Sequence, residues 1–465
     1  MTNQSNGKIP QWEKNNARAL AVRTLEKVQN GAYSNLQLNA IIKKSELDGR
    51  DVAFMTNMVY GVIQHRLTLT YWLKDFVAKP EKLDPWVREL LLISMFQMVY
   101  MDKVPKHAIF DEAIELAKRR GHAGLRKFVT GVLHAIDRKG LSDFSELTDL
   151  KERLSVQYSM PEWLVESFLN DYGQERTEAL LTSVNEAPKQ SARVNTVMNT
   201  VDEAIETLTD EAIETLTAEG FEVERSAVSP VGLLLTGGHV ASSDAFANGL
   251  VTLQDESAML MAPALTIEPN MQVLDAAAAP GGKTTQIATY LDPEQGGKVT
   301  ALDIHEHKVA LIDDNAARLA VAKQVDARLL DARKVDEVFE DGSFDRILVD
   351  APCSGFGLLR RKPEIRYDKS IDDSKNLQRI QLAILDAVSR KVKVGGDVVY
   401  GTCTILAIEN TDVVNAFLAD HDNFEVVPTM LENDLDVRTA DGSVQILPDD
   451  FGSDGFFIAT LRRTK

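Results

Sequence analysis

From about residue 270 onward, short apolar runs alternate with helical stretches, and no other feature restricts the fold as much. The apolar runs fall at 272–276, 299–304, 344–350 and 397–402, and the helical stretches at 284–291, 307–320 and 377–392. This alternation is the pattern of a doubly wound α/β sheet. Ligands of such sheets collect outside the carboxyl ends of the strands. Chemistry-bearing residues just after an apolar run are therefore the ones to look for.

The amino-terminal third has a different texture. Helical segments fit 17–30, 51–62, 68–77, 84–100, 107–120 and 123–138, with Asp84 as a candidate cap ahead of Pro85 and Gly121 as a natural stop. An all-helical bundle over 1–145 is expected, then a small α+β connecting domain over 146–262 and a Rossmann-like catalytic domain over 263–465. In the connecting part, Arg193-Val194-Asn195-Thr196 reads as a short strand. The eight residues 202–209 are repeated letter for letter at 210–217. One such repeat is no solenoid, and a local duplication lengthening a surface helix accounts for it.

Charge follows the same division. The net charge of −19 at first argues against a nucleic-acid partner. Residues 1–145, however, carry 22 Lys and Arg against 15 Asp and Glu, leaving 29 against 55 in the remainder. A basic helical module on an acidic chain suits an anionic ligand. The polar stretch 1–16 has no apolar h-region, and the longest apolar run, around 90–101, is too short to span a bilayer. A cytoplasmic monomer without membrane contact is expected. His65, His107, His122 and His134 lack metal-ligand spacing, so no metal is expected either.

Three motifs carry the chemistry. Asp275-Ala276-Ala277-Ala278-Ala279-Pro280-Gly281-Gly282-Lys283-Thr284 ends one apolar run and opens a helix. Its small side chains let backbone approach a ligand closely. Asp303 follows Gly282 by twenty-one residues, where a carboxylate can accept from both ribose hydroxyls. Asp331, after a third apolar run, is suitably placed for an adenine edge. A phosphate-cradling loop would need glycine where Ala277 stands, and the turn lacks the glycine spacing of a nicotinamide site.

The chain has two cysteines, and each lies in a motif: Asp350-Ala351-Pro352-Cys353-Ser354-Gly355 and Tyr400-Gly401-Thr402-Cys403-Thr404. A disulfide needs an oxidising compartment. The alternative is covalent catalysis on a pyrimidine. Carbon 5 of cytosine is a poor nucleophile until a thiolate adds to carbon 6 and makes it enamine-like. A free thiol with pKa about 8.5 costs roughly 2 kcal/mol to ionise at pH 7, which the site must offset with dipoles or a cation.

These three motifs together resemble those of the RNA cytosine-5 methyltransferases. Within that group nearly the whole chain resembles the RsmB/Sun (Fmu) type, which modifies bacterial small-subunit ribosomal RNA and has a NusB-like helical amino-terminal domain. The stretches Gln254-Asp255-Glu256-Ser257-Ala258-Met259 and Arg360-Arg361-Lys362-Pro363-Glu364 also match. The resemblance implies S-adenosylmethionine as methyl donor and ribosomal RNA as partner. It implies Cys403 as the nucleophile, Cys353 as a second thiol assisting release, and Asp350 between donor and cytosine. Ala277, Ala278, Ala279, Pro280, Gly281, Gly282, Lys283, Asp303, Asp331 and Asp350 would line the donor. Members often have cysteine where this chain has Ala277, a position that serves the backbone turn.

Arg360, Arg361, Lys362 and Arg366 follow Cys353 closely and are expected to hold RNA phosphates at the catalytic mouth. A target cytosine must be unstacked to enter such a pocket. Two rivals stay open: the same chemistry on tRNA or another rRNA site, and a non-catalytic RNA-binding assembly factor.

Overall fold

The computed structural model describes residues 9–29, 34–197 and 202–465. The chain forms two compact units, 1–166 and 167–465.

The first unit is helical: α1 (Gln11–Lys14), α2 (Ala17–Gln29), α3 (Ser34–Ile42), α4 (Gly49–Gln64), α5 (Arg66–Lys74), α6 (Pro85–Tyr100), α7 (Lys106–Arg120), α8 (Ala123–Lys139) and α9 (Leu150–Tyr158). Its centre is α6, which buries ten of the eleven residues from Val87 through Gln97, all but Arg88. A helix apolar all round belongs inside a bundle, and Leu20, Leu25, Met55, Val59 and Leu133 on neighbouring helices are likewise buried. The one acid in that run, Glu89, is fully buried and answered by Arg66 through two 3.1 Å hydrogen bonds. Asp84 stands at the cap of α6 but makes no side-chain capping bond. His122 instead caps α8 through Nδ1, 3.1 Å from the Gly124 amide. The bundle runs beyond residue 145, because Thr68 Oγ1 donates to Val156 O (2.6 Å) and Ser159 Oγ accepts from the Leu67 amide (2.8 Å), docking α9 on α5.

The second unit contains two sheets. The smaller is antiparallel, in the order β2 (Glu222–Arg225), β3 (Gly232–Thr236), β1 (Gln190–Val194), β4 (Val251–Leu253). One helix, Asp202–Ala218, spans both copies of the sequence repeat. Its Leu208, Ala212 and Leu216, spaced by four, are buried in the same cluster as Leu233 and Leu235 of the sheet.

The larger sheet runs β10 (Phe424–Val427), β12 (Phe456–Arg463), β9 (Val392–Thr402), β8 (Phe344–Asp350), β5 (Gln272–Asp275), β6 (Lys298–Asp303), β7 (Val325–Leu329), with β11 (Val444–Ile446) pairing with β12. Strands β7, β6, β5, β8 and β9 are parallel, β12 runs antiparallel to β9, and β10 runs antiparallel to β12. Both faces are covered, which explains the nearly unbroken apolar runs. On one face Ile384, Leu385 and Val388 of helix Ile371–Ser389 pack on Val349 and Tyr400. On the other, Ile287, Ala316 and Leu319 pack on Val273 and Val399. Strand order changes direction at β5, and register pairs Asp275 with Leu348 of β8 and Asp350 with Gly401 of β9. The carboxyl ends of these strands therefore open on one side of a topological switch point.

Candidate active site

A cleft of about 440 Å³ opens there, lined by Ala277, Ala279, Asp303, Ile304, Leu330, Asp331, Asp350, Pro352, Cys353 and Cys403 among others. That volume falls within the range of small-ligand sites. All three sequence motifs thus meet in one place.

The turn after β5 is shaped by its glycines. Gly281 has φ 101°, and a Cβ there would lie 3.2 Å from the Ile312 backbone, so only glycine closes this turn against the next helix without strain. Asp275, at the strand end, is fully buried and accepts from Thr284 Oγ1 at 2.6 Å, while its Oδ1 has no hydrogen-bond partner. Burial pushes its carboxyl up to about 6. Lys283 points at the second motif, with Nζ 2.6 Å from Asp350 Oδ2 and 5.2 Å from the centre of the Phe456 ring. Burial alone would depress its ammonium, but the Asp350 carboxylate outweighs it and the net shift is upward. Lys283 is thus a fixed cation, held at Asp350 rather than among the residues lining the cleft. Ala278, Pro280, Gly281 and Gly282 also shape the turn from behind.

Across the cleft, Asp303 accepts from the His305 amide (2.9 Å), and Asp331 is gripped by Arg333, whose hydrogen bonds hold that carboxyl below its usual range. Between them Ile304, an exposed apolar residue, and Leu330 supply apolar surface. Sequence reasoning placed Ile304 within a strand, but β6 ends at Asp303 and leaves it in the cleft wall.

The two sulfurs lie 3.2 Å apart, both free and half-buried. The hydrogen bond to Cys403, burial, and the negative charges of Glu409 and Asp350 together push the Cys353 thiol well up. Ser354 Oγ and Thr404 Oγ1 join the two motifs at 2.9 Å. Gly357 donates its amide to Cys403 O at 2.9 Å, and a Cβ at Gly357 would stand 1.9 Å from Gly455 O and 2.7 Å from Cys403 O. The backbone behind Cys403 is held on that side by bare glycine.

The expected phosphate-binding arginines require correction. Arg360 is buried and donates to Ser183 O (3.0 Å), Pro448 O (3.0 Å), Ser183 Oγ and Gly452 O. Arg366 is fully buried, with Asn185 Oδ1 at 3.2 Å. Arg361 bridges Asp255 (2.8 Å) and Asp454 (2.9 Å). All three are internal struts, because their guanidinium groups satisfy carbonyls and carboxylates that would otherwise be buried unpaired. Lys362 alone of the four is exposed.

A family model described as 16S rRNA methyltransferase RsmB/F matches residues 262–462. Models for the NusB family and for an RsmF/B-like ferredoxin-like domain match 15–138 and 160–241. A Bacillus subtilis protein named probable ribosomal RNA small subunit methyltransferase B is 44% identical over 97% of this chain and 99% of its own length. The chain belongs to the RsmB/F family of rRNA methyltransferases. A Pseudomonas syringae family member, ribosomal RNA small subunit methyltransferase B, is 32% identical over 96% of each chain. Among solved structures, that of PH0851 superposes with a TM-score of 0.77 at 27% identity, covering 98% of this chain and 99% of the other. NSun6 from Pyrococcus horikoshii with SFG covers 66% of this chain and 98% of its own, at 22% identity and a TM-score of 0.57, and so shares the fold. This family member accordingly has a NusB domain, a small α/β domain and a mixed-sheet methyltransferase domain. Among its described residues no helix is long and apolar enough to cross a membrane, and no group of three metal-ligating side chains occurs.

Proposed function

We propose that this methyltransferase uses S-adenosylmethionine to methylate carbon 5 of a cytidine in small-subunit ribosomal RNA, through an adduct between Cys403 and carbon 6. The observation that carries this reading is the 3.2 Å pair of free thiols lining a cleft together with Asp350, whose carboxylate is held from outside the lining by Lys283. The residues fit the donor: Asp303 offers a carboxylate to ribose hydroxyls, Ile304 and Leu330 offer apolar surface to a flat ring, and Ala277 and Ala279 leave room for close backbone approach. When bound, the donor supplies an electrophilic methyl group.

The chain's own residues do the rest. Cys403 adds to carbon 6, with Cys353 Sγ within hydrogen-bonding distance of its sulfur and the fixed charge of Lys283 nearby. Asp350, oriented by Lys283, lies between donor and base and can accept from the cytosine exocyclic amine. After methylation the carbon 5 proton leaves and the carbon–sulfur bond breaks. The NusB-like domain, with its excess of Lys and Arg, would engage RNA through its phosphates.

Methyl transfer from radiolabelled donor to small-subunit rRNA, followed by bisulfite sequencing, tests the reading. A single protected cytidine is expected. Label on another atom of the base, or on the ribose, overturns it.

A further inference from the structure

The wall behind the two thiols is polar, buried and unexplained by donor or RNA binding. Glu409, on the short turn Ala407–Glu409, is fully buried. Its Oε2 accepts from the Ser354 amide at 2.9 Å and from Gln381 Nε2 at 3.1 Å. Its Oε1 has no hydrogen-bond partner, and among the described residues no cation pairs with it. Gln381, also fully buried, donates in addition to Pro352 O at 2.9 Å. The pair therefore grips the residues on both sides of Cys353. The next residue does the same for the other thiol: Asn410 Oδ1 accepts from Thr402 Oγ1 (2.5 Å), and its Nδ2 donates to Thr404 O (3.1 Å).

A hydrogen-bond clamp alone would be served by a neutral side chain. A buried carboxylate with an orphan oxygen is an expensive way to hold a loop, because desolvating a charge without a counter-ion opposes folding. A carboxylate in this position sets a negative charge beside the Cys353 loop. The titratable groups facing Cys353 are Cys403 on the neighbouring loop, Glu409, Asp350 (itself held by Lys283) and Tyr400, whose hydroxyl donates to Glu409 O at 2.6 Å.

We propose that Glu409 is a positioning residue for the methyltransferase reaction: its carboxylate fixes the Cys353 loop from behind and keeps the Cys353 sulfur protonated, so that Cys353 serves as hydrogen-bond donor to Cys403 and not as a base. This rests on the reading of Cys403 as nucleophile. During release the electron pair of the carbon–sulfur bond returns to Cys403 sulfur, which the Cys353 S–H stabilises. The carbon 5 proton passes to water, so Cys353 ends the cycle as it began, a neutral thiol. Negative charge behind Cys353 opposes its ionisation, in the same sense as the upward push on that thiol.

The chain has two cysteines, so Cys403→Ala leaves Cys353 as its sole thiol. The pH dependence of iodoacetamide alkylation then reports Cys353 directly, with no RNA or donor present. In the Cys403→Ala background, Glu409→Gln keeps the shape and an acceptor for the Ser354 amide while removing the charge. The alkylation midpoint is expected to fall by about one pH unit, a tenfold gain in thiolate at a given pH. Circular dichroism confirms that the variant is folded, and Glu409→Asp, which retains the charge but withdraws it, is expected to give a smaller fall. An unchanged midpoint in either folded variant overturns the proposal, since a purely structural clamp would leave it in place. Failure of the unmodified chain to methylate RNA would refute the proposed function and leave this thiol measurement standing, so the two can fail separately.

Discussion

Replacing Cys353 with alanine removes one hydrogen-bond partner from Cys403, the proposed nucleophile, and the geometry sets the size of the effect. The sulfurs are 3.2 Å apart, in hydrogen-bonding range for thiols, and the bond matters most when Cys403 carries charge. A hydrogen bond to a charged group is worth about 1.5–3 kcal/mol. If that stabilisation is lost as Cys403 departs, turnover falls roughly 10- to 150-fold at 1.36 kcal/mol per tenfold. The adduct still forms, because Cys403 and Lys283 are untouched, but it is released slowly. The assay mixes Cys353→Ala with donor and a small-subunit rRNA fragment and resolves protein–RNA adducts on a denaturing gel. A persistent adduct and a first-turnover burst are expected, whereas Cys403→Ala should give neither. An adduct with Cys403→Ala, or Cys353→Ala turning over like the unmodified enzyme, would refute the division of roles.

Asp303→Ala is expected to weaken donor binding about 10- to 150-fold, the worth of one charge-assisted hydrogen bond, with RNA affinity unchanged when both are measured by calorimetry. Arg360→Ala should destabilise the fold by about 2–4 kcal/mol in a denaturant melt, because it strands buried carbonyls, whereas Lys362→Glu should change stability by under about 0.5 kcal/mol and weaken RNA binding in a salt-dependent way. The Asp275 carboxyl is raised to about 6, so the folded state holds this proton more tightly than the unfolded chain does. Its stabilising contribution is complete below about pH 4 and is lost as pH rises through 6, by roughly 3 kcal/mol for a shift of about two units. Asp275→Asn should consequently raise the melting temperature at pH 8 and lose that advantage near pH 4.

Much of the larger sheet was legible because its strands are buried on both faces and the turns between them carry distinctive residues. The run 344–350 is a strand with those bounds, and Asp275, Asp303 and Asp350 stand at strand ends as their positions after apolar runs suggested. The antiparallel end, β10 to β12, was not read, although 456–461 is more uniformly apolar than β9. The arginines misled for a physical reason. Clustered positive charge suggests a solvated face, and only the fold brings Ser183, Pro448 and Gly452 around Arg360 from distant parts of the sequence. Glu409 and Gln381 were invisible for the converse reason: single polar residues in ordinary helical contexts look like surface until the chain encloses them.

The pairing of Asp350 with Gly401 places the two cysteines three and two residues beyond a shared rung of one parallel ladder. The spacing of adjacent strands, about 4.8 Å, fixes where the two cysteine loops start, and the Ser354–Thr404 and Ser354–Glu409 hydrogen bonds carry that spacing on to the sulfurs.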